Sequence, residues 1–133
     1  MWVKSSLVIF HLGVAGVFGM AEAHAQNSRI ALKSGESVEL GQVYWVAKCR
    51  SIMVGTPAVE VLEGPEEVTL AIKEGMVLPR RLNCANEVPG GKVVATAKDV
   101  KEPKEAKLTY RVKYKTKDGD RQTSNVYTIS LFP

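Results

Sequence analysis

The sequence predicts an all-β fold, a sandwich of short antiparallel strands. Three observations point there. Short apolar runs recur between Gly, Pro, Asn and charged breaks, and helical periodicity is nearly absent. The C-terminal third alternates apolar and polar residues on both sides of an Asp-Gly step.

The first residues are read apart from the fold. Lys4 precedes an apolar run from Leu7 to Met20, and Ala23-His24-Ala25 follows as a small-x-small step. A charged start, a short apolar middle and such an end form a secretory signal peptide, residues 1–25, cut between Ala25 and Gln26. A spanning helix takes about 20 apolar residues; Leu7–Met20 is shorter and includes His11. No cysteine stands at the cut, which argues against a lipid-anchored lipoprotein. Residues 26–133 are then expected to form a single β-sandwich domain, periplasmic or secreted, with no transmembrane segment after cleavage. Losing Lys4 and Glu22 with the leader keeps the net charge at +4. Residues 92–133 hold 10 basic and 5 acidic groups, so the positive charge gathers late in the chain.

Strands are expected near 29–32, 37–40, 43–49, 58–62, 68–73, 76–82, 92–98, 106–117 and 121–132. Parity places Val43, Trp45, Ala47 and Cys49 on one face, with Trp45 inside near the cysteine. Pro89-Gly90-Gly91 reads as a turn before a strand. Pro103 keeps the polar stretch 98–107 out of a central strand. Cys49 and Cys84 are the chain's two cysteines. In an oxidising compartment such a pair bonds, and closing the loop stabilises the fold by roughly 3–4 kcal/mol.

With Asp118-Gly119 as a two-residue hairpin loop, Leu108 would face Ile129, Tyr110 Tyr127, Val112 Asn125 and Tyr114 Thr123 on one side. On the other, Lys107, Arg111, Lys113 and Lys115 would face Ser130, Val126, Ser124 and Gln122. No acid on that neighbouring strand would neutralise them. The face is therefore either a solvated sheet surface that discourages edge pairing or a binding surface for anions.

Both histidines, His11 and His24, lie in the leader. Without them the mature chain lacks Ser-His-Asp and Cys-His pairs, histidine bases and histidine-ligated zinc. Its acids are scattered beside turns, and no phosphate-cradling glycine motif is present. Asp118-Gly119-Asp120 reads as a turn and not as a calcium loop. The expected chain is not an enzyme and carries no cofactor and no metal. Arg80-Arg81 is weighed as a carboxylate or phosphate clamp, against a plain solvated loop.

PGGKVVATAK, the hairpin EAKLTYRVKYKTKDG and the closing VYTISLF together resemble bacterial immunoglobulin-like or fibronectin-type sandwich modules, over residues 89–132. The whole chain is also similar to small exported proteins of Gram-negative bacteria. The resemblance implies an immunoglobulin-like antiparallel β-sandwich and brings no activity or site. Trp45 departs from the antibody pattern by preceding Cys49 on the same strand.

The first functional expectation is a non-catalytic envelope module. It would bind an anionic polymer or an acidic protein through Lys107, Arg111, Lys113, Lys115 and Lys117. Nucleic acid is not expected, because the tyrosines point away from that face. The second expectation is an exported inhibitor or chaperone-like module that binds a protein through a sheet edge or a loop, with 50–57 and 78–91 as the loops.

Overall fold

The computed structural model describes residues 28–133, so the leader expected over 1–25 lies outside the described residues. Nine strands run in chain order: β1 (Ser28–Lys33), β2 (Ser37–Val43), β3 (Val46–Ala47), β4 (Arg50–Ser51), β5 (Ala58–Glu63), β6 (Val68–Val77), β7 (Val88–Ala97), β8 (Lys104–Thr116) and β9 (Gly119–Phe132). One sheet has the order β1-β9-β8-β5 and the other β2-β7-β6, with β3 and β4 forming a separate small hairpin. Pairing is antiparallel except for β1, which runs parallel to β9.

Both sheets give alternate residues to one core, which makes the fold a β-sandwich. Leu32, Leu108, Tyr110, Val112, Tyr114, Ile129 and Leu131 come from the first sheet, and Leu40, Val43, Val68, Val93, Ala95 and Ala97 from the second. Leu108, Ile129 and Leu131 are 0% exposed. The small side chains of β7 suit a central strand that must lie close to the long side chains of β8.

Several strands differ from expectation. The 43–49 run breaks after Val43. Lys48 and Cys49 both take positive φ, 52° and 59°, and make the two-residue turn between β3 and β4. Such a turn demands left-handed backbone at both central residues. Trp45 falls between strands, half-buried, with its ring 5.0 Å from that of Tyr114. The 68–73 and 76–82 runs are largely one strand, β6, which ends at Val77; Pro79 follows, and Arg80–Leu82 form a 3-10 turn. Pro89-Gly90-Gly91 lies inside β7 and is not a turn. A Cβ on Gly90 would strike the Val43 carbonyl, and one on Gly91 the Lys73 carbonyl. The two glycines therefore serve close approach of the flanking strands.

The long hairpin keeps its faces but not its register. Its loop is Lys117-Asp118, with Thr116 opposite Gly119 and Lys115 opposite Asp120. Gly119 has φ +110° and opens β9 instead of sitting in the loop. The Thr116 hydroxyl accepts the Asp118 N–H at 3.1 Å and donates to the Gly119 carbonyl at 2.7 Å, bracing the turn at this earlier position. Every facing pair thus moves by two residues: Leu108 faces Tyr127, Tyr110 faces Asn125 and Val112 faces Thr123. A two-residue shift preserves parity, so the apolar face stays inside. Tyr110 and Tyr127 become diagonal neighbours, with ring planes 11° apart and centroids separated by 6.1 Å.

The Cys49–Cys84 disulfide forms, with Cα atoms 5.4 Å apart. It ties the tip of the β3–β4 hairpin to the segment just after the 3-10 turn. Among the described residues no helix is long and apolar enough to cross a membrane.

Candidate functional site

The cationic face is less free than the sequence suggested. Arg111 and Lys113 point outward from β8, but the next strand on that side is β5, which places Glu60 directly opposite Arg111. Arg111 Nε and Nη2 donate to Glu60 Oε1 at 3.0 and 2.8 Å, and Lys113 Nζ lies 3.4 Å from the same oxygen. The Arg111 hydrogen bond, then the charges of Arg111 and Lys113, hold the Glu60 carboxyl below its usual range. Lys107 Nζ lies 3.8 Å from Glu63 Oε1. The expectation that no acid relieves these cations holds only for β9 beside Lys107, Arg111 and Lys113, and fails on the β5 side. The hairpin alone could not reveal β5 as the second neighbour. Lys115 stands opposite Asp120, and neither Lys115 nor Lys117 forms an ion pair among the described residues. Lys113, Lys115 and Arg121 line a groove of about 520 Å3 with Thr56, Gln122 and the acid Asp120.

The loop 50–57 is not a free apolar tip. Met53 bridges to Thr116 and packs against the core, the Val54 N–H bonds to the Lys115 carbonyl, and Pro57 is buried. Of Met53, Val54 and Pro57, only Val54 stands out in solvent. The 78–91 loop is shortened by β7, leaving the 3-10 turn and the residues around Cys84.

A different site emerges on β9 ahead of Ser28, the first described residue, where β1 begins. β1 covers β9 only from Tyr127 to Phe132. From Gly119 to Val126, β9 is paired with β8 alone among the described residues, and all eight residues are exposed. Thr116 and Gly119 close the hairpin as a hydrogen-bonded pair, and such pairs alternate along an antiparallel ladder. The N–H and C=O groups of Asp120, Gln122, Ser124 and Val126 therefore point away from β8. The same parity continues along β9, where the Phe132 carbonyl accepts the Ser34 N–H on the β1 side at 2.8 Å.

Exposed edges usually carry charge, proline or a bulge to block strand addition. The other edges here follow that rule. β1 carries Arg29 and Lys33, β6 carries Lys73 and Glu74, β2 is bulged between Glu39 and Gly41, and β5 carries Glu60 and a bulge before Glu63. Gln122-Thr123-Ser124-Asn125-Val126 has no charge, proline or register shift.

Beneath this edge the sandwich is open between β9 and the end of β2. The resulting groove, about 320 Å3, gathers all four tyrosines of the chain: Tyr44, Tyr110, Tyr114 and Tyr127. Thr123 and Asn125 contribute from β9, Gln42 from β2, and Arg80 and Arg81 from the 3-10 turn. The Tyr127 hydroxyl donates to the Leu40 carbonyl, joining the two sheets at the groove. Burial pushes the Tyr110 hydroxyl far above its ordinary value, with the neighbouring Tyr127 adding to the rise. Burial also raises Tyr114, against an opposing hydrogen bond to Thr123. These phenols remain neutral hydrogen-bonding groups at physiological pH.

The Arg80-Arg81 pair, weighed in the sequence as an anion clamp, is therefore placed on a groove and not in an isolated loop. The Cys49–Cys84 disulfide and left-handed Asn83 (φ 56°) follow it closely in the chain and fix the turn that carries it. Sequence reasoning missed Tyr44, and it allowed for binding at a sheet edge without locating one. Tyr44 lies just beyond the end of β2, and only the pairing of β1 shows which part of β9 is uncovered among the described residues. Among the described residues no cluster of His, Cys, Asp and Glu is arranged to hold a metal ion. No protein-family model and no curated protein matches the chain.

Proposed function

We propose that this chain is a non-catalytic, exported binding module that takes an extended segment of a partner protein as an added strand on β9. The observation that carries this reading is the uncharged edge at Gln122–Val126, unpaired among the described residues and lying over an open groove. An incoming backbone would bond to the outward N–H and C=O groups of Asp120, Gln122, Ser124 and Val126. Its alternate side chains would hang over the groove, the usual division of labour in strand addition. Export rests on the leader pattern and is supported by the disulfide. An immunoglobulin-like arrangement is supported by strand order. β2-β7-β6 against β5-β8-β9 corresponds to B-E-D against C-F-G, with β1 on the last strand in place of the first-strand position beside B.

The test uses Ser124→Pro. The Ser124 N–H faces the open side, so proline removes that donor and blocks the edge without breaking the ladder to β8. Short random peptides are displayed and selected on residues 26–133, and the enriched sequences are synthesised and titrated. The expected result is binding that weakens about tenfold or more in Ser124→Pro. Equal binding to both proteins contradicts the reading.

A second reading, binding of an anionic polymer, is favoured by the groove that joins Lys113, Lys115 and Arg121, three cations against the single acid Asp120. It narrows the cationic face to the end near Lys117, away from Glu60 and Glu63. Lys113→Glu with Lys115→Glu should weaken polyanion binding in a salt-dependent way. Binding that ignores both salt and substitution rules it out.

A further inference from the structure

Resting on strand addition to β9, we infer that the groove selects a partner segment with an acidic side chain, Asp or Glu, at an inward position, and that Arg80 and Arg81 receive its carboxylate. Along β9 the odd-numbered residues face in, and Thr123 and Asn125 line the groove. A strand added beside them follows the same alternation, so its inward side chains reach the same space. At about 320 Å3 the groove sits at the lower end of small-ligand pocket sizes, which suits side chains of a peptide.

Its chemistry is one-sided. Among the described residues no Asp or Glu lines it, while Arg80, Arg81, Gln42 and Asn125, residues whose side chains carry donors, do. Neither Arg80 nor Arg81 makes an ion pair or a side-chain hydrogen bond among the described residues. Among the described residues the groove's arginine charge is thus unanswered, in contrast to Arg111, which Glu60 answers at 2.8 Å. Guanidinium forks favour planar carboxylates over neutral amides.

Peptides from the display selection are synthesised in pairs, with Glu or Gln at each inward position. They are titrated against the wild type, Arg80→Gln with Arg81→Gln, Arg80→Lys with Arg81→Lys, and Ser124→Pro. The wild type should favour Glu by about tenfold, as a charge-assisted bond predicts. The double Gln variant should lose that preference yet still bind the Gln peptide, and the double Lys variant should regain part of it. Equal binding of Glu and Gln peptides to the wild type overturns the inference, as does a preference that survives in the double Gln variant. In both cases strand addition itself stands if Ser124→Pro still abolishes binding. If Ser124→Pro binds normally, the strand-addition reading fails and takes this inference with it.

Discussion

Removing the Cys49–Cys84 bridge should cost much of the fold's stability while leaving both sheets in place. Cys49 lies in the turn of a hairpin with two residues per strand, and Cys84 in the connection between β6 and β7. Neither cysteine belongs to a strand of the two large sheets, so Cys49→Ser with Cys84→Ser removes no ladder bond from them. The magnitude comes from the unfolded chain. The cysteines are 35 positions apart, and freeing a loop of that size lowers stability by roughly 3–4 kcal/mol in the chain-entropy model. For a chain of about a hundred residues, each kcal/mol moves Tm by about 4–8 °C. Urea unfolding followed by circular dichroism should give a lower midpoint together with a steeper slope, because an uncrosslinked unfolded chain exposes more surface. A loss below about 1 kcal/mol with an unchanged slope would refute the reasoning. It would mean that the unfolded chain is already held compact around these segments.

Three further outcomes follow from the packing and the ion pairs. Leu108→Ala, at a site 0% exposed between the sheets, should destabilise by about 2–5 kcal/mol in the same urea assay. Glu60→Gln tests the β5–β8 ion pairs by pH. The Glu60 carboxyl is lowered from 4.5 in the fold, so its stabilising contribution is complete above about pH 4.5 and is lost as pH falls through the folded value. Wild-type and Glu60→Gln urea midpoints should therefore differ at pH 6 and converge in acid; a constant gap would count against the pairing. Tyr110 is raised by burial from an ordinary value of 10.0, which stabilises the fold below that pH and is lost as pH rises through the folded value. Tyr110→Phe should reduce the alkaline loss of stability, read as the urea midpoint between pH 9 and 11. An alkaline loss identical to the wild type would contradict the burial of that phenol.

Much of the fold was legible because burial alternation is local. The apolar faces of β8 and β9 follow from parity alone, and parity survived a two-residue error in register. The error came from the turn. The Asp-Gly rule places Gly119 inside the loop, whereas the Thr116 side chain stabilises a loop one step earlier. The break after Val43 was hidden because Lys48 and Cys49 adopt left-handed backbone that their residue types do not announce. The site was less legible, for a different reason. Charge on one strand reveals half of an electrostatic surface, and Glu60 is 51 positions away from the Arg111 it neutralises. Likewise, an open edge is a property of what does not cover a strand. Nothing in Gln122–Val126 itself says that, among the described residues, β1 pairs with β9 only from Tyr127 onward. Arg80 and Arg81 were visible as a pair, but their groove depends on Tyr44 and Asn125, which lie on separate elements.

The most direct test of the account is amide hydrogen exchange of residues 26–133, resolved by residue, with and without a selected peptide. In the free protein the amides of Gln122, Ser124 and Val126 should exchange fast, while those of Thr123 and Asn125, bonded to β8, should be protected. On peptide binding the first three should become protected. Amides of Gln122, Ser124 and Val126 already protected in the free protein would contradict an open edge. Protection appearing instead around Lys113–Lys117 would move the binding surface to the cationic end of the sheet.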